Sequence, residues 1–208
     1  MPSLMKFSNR FHQLFLGFRN HEFSQQVRRT DFTIIASNCV GGTIYRDLGI
    51  EYSSPFVGLF ILPKDFVQLC EHLEYYLNLP LIEDNSLRMN YPVGKLGDIS
   101  VHFVHYRDFP EAKTKWERRI LRVNFSSLVF ILVERDGCTF ADIKKFDNLP
   151  YEKKVILTAH SYPMIQSAFQ LQTYSRSTEV GDCTGFVFSR LGFRHMYQFD
   201  FAGLLNQV

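Results

Sequence analysis

Residues 31–47 read DFTIIASNCVGGTIYRD and predict a strand, a tight loop and a helix in direct succession. Phe32–Ala36 is an apolar, β-branched run of the kind that forms a buried strand, and Thr43–Leu48 carries apolar residues at helical spacing. Between them, Gly41 and Gly42 allow the backbone to turn sharply and to approach a ligand closely. Because the start of a helix also presents unpaired N–H groups, the loop predicts an anion or oxyanion site.

The same loop contains Ser37, Asn38 and Cys39, which are candidate ligand-binding and catalytic residues. A cysteine beside a glycine turn and a helix start is expected to have a lowered pKa, as a thiolate nucleophile requires. The alternative is that Cys39 is a small buried hydrophobe, the usual state of a free cysteine, and that the two glycines only form a turn. On the loop alone, this packing interpretation is the commoner one.

The chain has 208 residues, of which 46% are hydrophobic, and this is enough to build the core of one domain. We expect a single α/β domain at residues 31–208 and an N-terminal helical extension at residues 1–30. Within that extension, apolar residues at three- and four-residue steps predict an amphipathic helix at Ser8–Phe18.

Composition and charge argue against several classes of protein. A net charge of +2 does not indicate a nucleic-acid partner, and no run of about eighteen apolar residues is present to cross a bilayer. The four cysteines are far apart and form no CxxC pair, so neither a metal site nor a disulfide framework is predicted. The N-terminus lacks the uninterrupted apolar centre of a signal peptide. We therefore expect the protein in the reducing cytoplasm.

Apolar runs and amphipathic stretches alternate along the chain. This pattern predicts an open, mostly parallel, Rossmann-like sheet with helices on both faces. Further strands are predicted at Phe56–Leu62, Ile99–His105, Leu128–Val133 and Lys153–Ala159. Further helices are predicted from Pro63 onward and at Glu111–Val123, Phe140–Phe146 and Phe199–Leu205, with Thr139 as the cap of the third.

Ligands of open α/β sheets bind beyond the carboxyl ends of the strands, so residues at those ends are expected to converge. Cys39, His105, Asp136 and His160 each follow a predicted strand. His105 or His160 is a candidate general base, and Asp136 is the candidate that orients it. The amides of Gly41 and Gly42 are candidates for stabilising an oxyanion.

The predicted helix Glu111–Val123 carries five cations. A charge run of this kind is usually a solvated face, but an arginine can also bind a phosphate or carboxylate. At helical spacing Arg118 lies in one stripe with Arg122, and Lys115 lies in another with Arg119, so we expect only one stripe to contact a ligand. The full set of candidate ligand-binding residues is Ser37, Asn38, Gly41, Gly42, Lys64, Lys95, Trp116, Arg118 and Arg119.

Several motifs occur in order along the chain. They are Ile34-Ile35-Ala36-Ser37-Asn38-Cys39-Val40-Gly41-Gly42, Gly58-Leu59-Phe60-Ile61-Leu62-Pro63-Lys64-Asp65, Tyr91-Pro92-Val93-Gly94, His102-Phe103-Val104-His105-Tyr106, Ala112 with Trp116-Glu117-Arg118-Arg119, and Arg135-Asp136-Gly137-Cys138. Together they resemble a bacterial family of uncharacterised function whose members are often labelled exopolysaccharide or capsule biosynthesis proteins. The resemblance extends from Asp31 to the C-terminus. It implies an α/β fold and a role in surface-polysaccharide gene clusters, and it supplies no established reaction. The Asn-Cys loop is also similar to that of another capsule-biosynthesis family, one associated with coenzyme A binding and acetyl transfer.

These observations favour a transferase of surface-polysaccharide biosynthesis, most concretely an acyltransferase that acts on a sugar hydroxyl. A coenzyme A thioester or a nucleotide sugar is the candidate donor. We favour direct transfer with His105 as base over a Cys39 thioester, because the donor is already a thioester. A glycosyltransferase is the enzyme alternative. The chain has no Asp-x-Asp metal motif, which argues against a metal-dependent glycosyltransferase and leaves metal-independent transfer open. The alternative of another class is a non-catalytic glycan-binding protein in contact with a polysaccharide-assembly complex.

Overall fold

The computed structural model of the protein describes residues 16–86, 88–187 and 193–207. The described helices are α1 (residues 16–26), α2 (Val40–Leu48), α3 (Pro63–Glu71), α4 (Leu73–Asn78), α5 (Phe109–Ile120), α6 (Phe140–Asp147) and α7 (Phe201–Asn206). The described strands are β1 (Thr33–Ala36), β2 (Ile82–Glu83), β3 (Val93–Leu96), β4 (Ile99–His102), β5 (Leu128–Val133), β6 (Lys154–Thr158), β7 (Ala168–Gln170), β8 (Phe186–Val187) and β9 (Phe193–Arg194).

A four-stranded parallel sheet forms the centre of the protein, with the strand order β1-β5-β6-β7. Thr33 lies opposite Leu128, and Phe130 lies opposite Lys154. The α/β fold and its parallel sheet are therefore confirmed. The strand order follows the chain order without a reversal, so the Rossmann-like topology is not confirmed.

Both faces of the parallel sheet are buried, which explains why its strands read as continuous apolar runs. Ile35 and Phe130 point into a core formed with α3, α4, α5 and α6. Their neighbours Ile34 and Ile131 point to the other side, where the core is formed with α2 and α7. Alternation of side chains along each strand thus supplies both cores.

One sequence prediction about strands is wrong, and another is correct only in its starting residue. Residues 56–62 are apolar and largely buried but are not a strand; Phe60 alone forms an isolated antiparallel bridge, to His102. Gly58 in this segment has φ +73°, which is outside the range of a strand. The strand predicted at Ile99–His105 ends at His102 and lies outside the parallel sheet. A two-residue turn pairs it antiparallel with β3, in a separate sheet of order β2-β3-β4.

Other boundaries agree closely with the sequence. β5 occupies the predicted residues 128–133, and α3 begins at Pro63. Thr139 caps α6 in a capping box with Asp142. The predicted amphipathic helix Ser8–Phe18 lies outside the described residues except for positions 16–18, so it is not confirmed. Among the described residues, no helix has both the length and the apolar composition that crossing a membrane requires.

A buried ion pair joins α2 to the segment near the C-terminus. Both oxygens of Asp47 accept hydrogen bonds from the Arg194 guanidinium, and the Tyr197 hydroxyl donates to Asp47 Oδ2 at 2.9 Å. Asp47 is 3% exposed and Arg194 is 5% exposed. Arg194 Nη1 also donates to the Thr184 carbonyl at 2.6 Å. The ion pair therefore fixes the loop that contains Thr184 against α2.

We expect Asp47→Asn to lower the free energy of unfolding by about 3 kcal/mol, because removing one charge of a buried ion pair leaves the other charge buried without its counter-charge. Urea denaturation measures this change. The matched control is Asp31→Asn, which removes the carboxylate of the surface pair with Arg29 and should leave the urea midpoint almost unchanged. Equal midpoint shifts in the two variants would contradict the structural role of Asp47.

Candidate functional site

A cavity of about 440 Å³ lies at the carboxyl ends of β1 and β5, and we call it the strand-end cavity. Asn38 and Cys39, which follow β1, and Arg135 and Asp136, which follow β5, line it together with His105 from the loop after β4. The structure thus brings Asn38, Cys39, His105 and Asp136 into one cavity. The ends of the parallel strands account for Asn38, Cys39 and Asp136, but not for His105, which follows a strand of the separate antiparallel sheet.

A second cavity, of about 510 Å³, adjoins the first, and we call it the basic cavity. Lys115 and Arg119 from α5 and Arg46 from α2 line it, and none of the described residues in its lining is a carboxylate. Cys39, His105 and Thr184 line both cavities. The two cavities therefore form one cleft, with Cys39 and His105 at the junction.

Cys39 lies directly before α2, and its Sγ is 3.9 Å from the Leu59 carbonyl oxygen. Burial raises the pKa of the Cys39 thiol; the positive charge of Arg135 lowers it by less. The direction is opposite to the lowered pKa that the helix start predicts, because desolvation of the thiolate outweighs the positive charges of Arg135 and Arg46. Cys39 is therefore a neutral thiol at pH 7.

His105 is exposed at the junction of the two cavities, and its position depends on Gly58. The His105 backbone N–H donates to the Gly58 carbonyl at 3.1 Å. A Cβ atom on Gly58 would lie 3.3 Å from His105 Cβ and 3.2 Å from Tyr106 Cε2. Gly58 therefore combines a left-handed backbone with a close approach that only glycine permits without displacement.

Asp136 contacts an arginine rather than a histidine. Its Oδ2 accepts from Arg135 Nε at 3.0 Å, and its backbone N–H donates to Glu179 at 2.9 Å. Its φ of +56° is unusual for a residue other than glycine, although Asp is among the residues that tolerate it. The described contacts of Asp136 are thus those of a charged loop residue in the cavity wall.

The carboxylate that orients His160 is not among the residues predicted from the sequence. Glu134, the first residue after β5, lies 2.7 Å from His160 Nδ1 and accepts from the Tyr162 hydroxyl and from the amides of Ala159 and His160. Burial alone would raise the pKa of Glu134, but these hydrogen bonds outweigh it and lower the pKa. The position of Glu134 directly after the predicted strand Leu128–Val133 was the feature of the sequence that could have identified it. His160 lines neither cavity of the cleft.

Three candidate residues have structural roles. Ser37 is buried, and its Oγ accepts from the Val133 amide at 3.2 Å. A Cβ on Gly41 would lie 3.0 Å from both Ala36 and Ile34, so this glycine allows α2 to pack closely on β1. Trp116 is buried in the core, where its ring packs against Phe56 and Phe103.

The remaining candidates divide between the cleft and the surface. Gly42 and Arg119 line the basic cavity. Lys95 forms an ion pair with Asp84 at 3.2 Å, outside both cavities. Lys64, in the first turn of α3, and Arg118 are exposed and line neither cavity. Among the described residues, no group of three His, Cys, Asp or Glu side chains is arranged to hold a metal ion.

Comparison with known proteins gives a family but no activity. Residues 10–206 match the model of a domain of unknown function, DUF1919. The chain is also 37% identical, over 192 residues, to an uncharacterised protein of Haemophilus influenzae, and the match covers 92% of each chain. Neither description states a reaction, a ligand or a partner, so the association with exopolysaccharide or capsule biosynthesis stays a prediction.

We expect Gly58→Ala to lower the free energy of unfolding by about 2 to 4 kcal/mol, because left-handed strain adds to the displacement of His105 and Tyr106. Gly49→Ala is the matched control. Gly49 also has a positive φ, but a Cβ atom added to it would have no described atom within 4 Å apart from its chain neighbours, so only the backbone strain of about 1 kcal/mol applies. Histidine NMR resonances should show His105 shifted only in Gly58→Ala; equal effects of both substitutions would contradict the close packing.

Glu134 also makes stability depend on pH. Because its pKa is lowered on folding, its contribution is complete above the pKa of an unfolded-chain glutamate, roughly 4.3, and is lost as pH falls through the folded-state pKa. Glu134→Gln should therefore be less stable than wild type at pH 7, and the difference should shrink in acid. Urea unfolding at several pH values measures it. Glu117→Gln, at an exposed position on α5, is the control; a constant difference at all pH values would contradict the prediction.

Proposed function

The chain belongs to the DUF1919 family, and from that premise we propose that it is a transferase that passes a group from an anionic donor to a sugar hydroxyl. Most specifically, we propose an acyltransferase of surface-polysaccharide biosynthesis that works in the cytoplasm beside a polysaccharide-assembly complex. One observation carries the proposal: His105 lies where a cavity with cationic lining meets a cavity with mixed polar lining. A donor with negative charge fits the first cavity, and a hydroxylated acceptor fits the second.

His105 is the general base in this proposal. It accepts the proton of the acceptor hydroxyl as the hydroxyl oxygen attacks the thioester carbonyl. A C–O bond forms, the C–S bond breaks, and the proton passes from His105 to the departing thiolate. The amide of Gly42, in the first turn of α2, is available to the oxyanion because the first N–H groups of a helix have no intrahelical partner.

The state of Cys39 supports direct transfer. A nucleophilic cysteine reacts as the thiolate, and burial raises the pKa of this thiol instead of lowering it. Cys39 therefore contributes an uncharged wall between the two cavities. An acyl-enzyme intermediate is not needed, since the donor is already a thioester.

A metal-independent glycosyltransferase is the second candidate, and the cationic lining of the basic cavity favours it. The diphosphate of a nucleotide sugar would occupy that cavity, and His105 would again activate the acceptor hydroxyl. A non-catalytic glycan-binding protein would use the cleft without a donor. Thermal shift separates these cases: stabilisation by coenzyme A or by nucleotide sugars supports a transferase, and stabilisation by oligosaccharides alone supports the binding protein.

The direct test is an assay with acetyl-coenzyme A or a panel of nucleotide sugars as donor and bacterial surface oligosaccharides as acceptors. Mass spectrometry of the acceptors detects a gained acetyl or sugar group. Gain of an acetyl group supports the acyltransferase, and gain of a sugar supports the second candidate. If no donor binds and no acceptor is modified, both the acyltransferase and the glycosyltransferase are refuted.

We expect His105→Ala to lower the transfer rate by roughly a hundred- to ten-thousand-fold, the usual contribution of a general base. Cys39→Ser should retain most of the rate, because the thiol takes no proton and forms no bond in direct transfer. Intact-protein mass spectrometry after incubation with acetyl-coenzyme A provides a second readout. An acetyl group on Cys39 that forms and disappears at the catalytic rate would contradict direct transfer.

A further inference from the structure

Arg119 is a buried guanidinium that no described carboxylate pairs with. The residue is 6% exposed, and its Nε is buried without a hydrogen-bond partner. Its one described hydrogen bond runs from Nη1 to the Tyr106 hydroxyl oxygen, at 2.7 Å. Burying a charge without a counter-charge is unfavourable, because the protein interior replaces little of the hydration that the charge loses. No described carboxylate compensates this buried positive charge, whereas an anion in the basic cavity would supply the missing negative charge.

Two tyrosines hold the guanidinium of Arg119 in place. Its central carbon lies 4.9 Å from the centre of the Tyr52 ring. The Tyr106 hydroxyl donates to the Val57 carbonyl at 2.5 Å, which leaves its oxygen to accept from Arg119. The guanidinium is thus fixed before any ligand arrives, so little side-chain entropy is lost on binding. A planar, fixed guanidinium is well suited to the paired oxygens of a phosphate.

The rest of the basic cavity adds positive charge. Lys115 and Arg46 line it with Arg119, and Gly42 lines it at the N-terminus of α2, where the helix dipole favours an anion. Lys115 is paired with Glu111 at 2.6 Å, and Arg46 lies 3.8 Å from Asp47, so two of the three cations are partly neutralised. Among these three cations, Arg119 is the one whose charge is least compensated by neighbouring carboxylates.

We propose that the basic cavity is a diphosphate site, in which Arg119 is the principal contact and Lys115, Arg46 and the start of α2 complete the charge. Three cations around a cavity of about 510 Å³ suit two linked phosphates better than one. The site deepens the proposed function, on which it rests, because it names the part of the donor that the protein recognises. Coenzyme A and nucleotide sugars share this diphosphate.

The position of His105 distinguishes these two sources. His105 lines the same cavity as Arg119. In a nucleotide sugar the reacting carbon is bonded to the diphosphate, whereas in a coenzyme A thioester the pantetheine arm lies between the diphosphate and the reacting carbonyl. A nucleotide sugar could thus react inside the cleft while its diphosphate is held, and a thioester would need its arm to fold back towards His105.

Calorimetric titration with inorganic pyrophosphate tests the site without any turnover. We expect wild type to bind pyrophosphate and Arg119→Gln to bind at least tenfold more weakly. Arg118→Gln is the matched control: Arg118 is the neighbouring residue on α5, is exposed and lines neither cavity, so pyrophosphate affinity should change less than twofold. Fluorescence of Trp116, the single tryptophan, shows whether each variant is folded.

Lys115→Gln provides a second variant in case Arg119→Gln does not fold, because the Lys115 side chain is 38% exposed and its loss should be tolerated. It should weaken pyrophosphate binding about threefold to tenfold. Competition then separates the sources: displacement of pyrophosphate by uridine diphosphate points to a nucleotide sugar, and displacement by coenzyme A points to a thioester.

The results distinguish failure of the site from failure of the proposed function. Arg119-dependent pyrophosphate binding without transfer from any donor would support the site and refute the transferase. Two results would overturn the diphosphate site. One is a transfer rate that is unchanged in Arg119→Gln. The other is pyrophosphate binding that is absent, or that is equal in all folded variants.

Discussion

The parallel pairing of β1 with β5 is the constraint on which the rest of the structure depends. The ladder runs from Thr33 opposite Leu128 to Ala36 opposite Ile131, and Ser37 extends it by donating its N–H to the Ile131 carbonyl. Because the two strands end at the same edge, the residues that follow them must meet there. The backbone continues outward from this edge: Ile61 donates to the Ser37 carbonyl, and Phe60 bridges to His102. This series of hydrogen bonds carries the loop with His105 to the ends of the parallel strands.

The sequence was informative where burial and local chemistry agree. Leu128–Val133 is apolar on both faces and is a strand at those residues, and the capping box of Thr139 fixes the start of α6. It failed at residues 56–62, because a buried apolar run with a left-handed glycine has the composition of a strand without its backbone. It also failed to separate the β3–β4 hairpin from the parallel sheet, since strand pairing depends on partners distant in sequence.

In the candidate site, part of the topology could be predicted from the sequence, but the electrostatics could not. The meeting of Cys39 and Asp136 follows from the ends of β1 and β5 and could be predicted, whereas His105 reaches the same place through the loop after β4, outside the parallel sheet. The pKa of Cys39 could not, because it depends on how deeply the thiol is buried. The choice between Arg118 and Arg119 had an overlooked signal: Arg119 continues the buried stripe of α5 at three- and four-residue steps. That stripe consists of Phe109, Ala112, Trp116 and Arg119.

Two arginines that are buried in the described part of the chain, Arg194 and Arg119, differ in what surrounds them, and the difference bears on the role of the cleft. Arg194 and Arg119 are buried to the same extent, at 5% and 6% exposure. The fold provides Arg194 with both oxygens of Asp47, whereas for Arg119 the described structure provides a tyrosine hydroxyl and an aromatic ring. A buried charge without a counter-charge is destabilising, so stability alone would not favour an arginine at this position. A buried guanidinium that no described carboxylate pairs with, in the lining of a cavity that His105 also lines, is the arrangement expected of an anion-binding site.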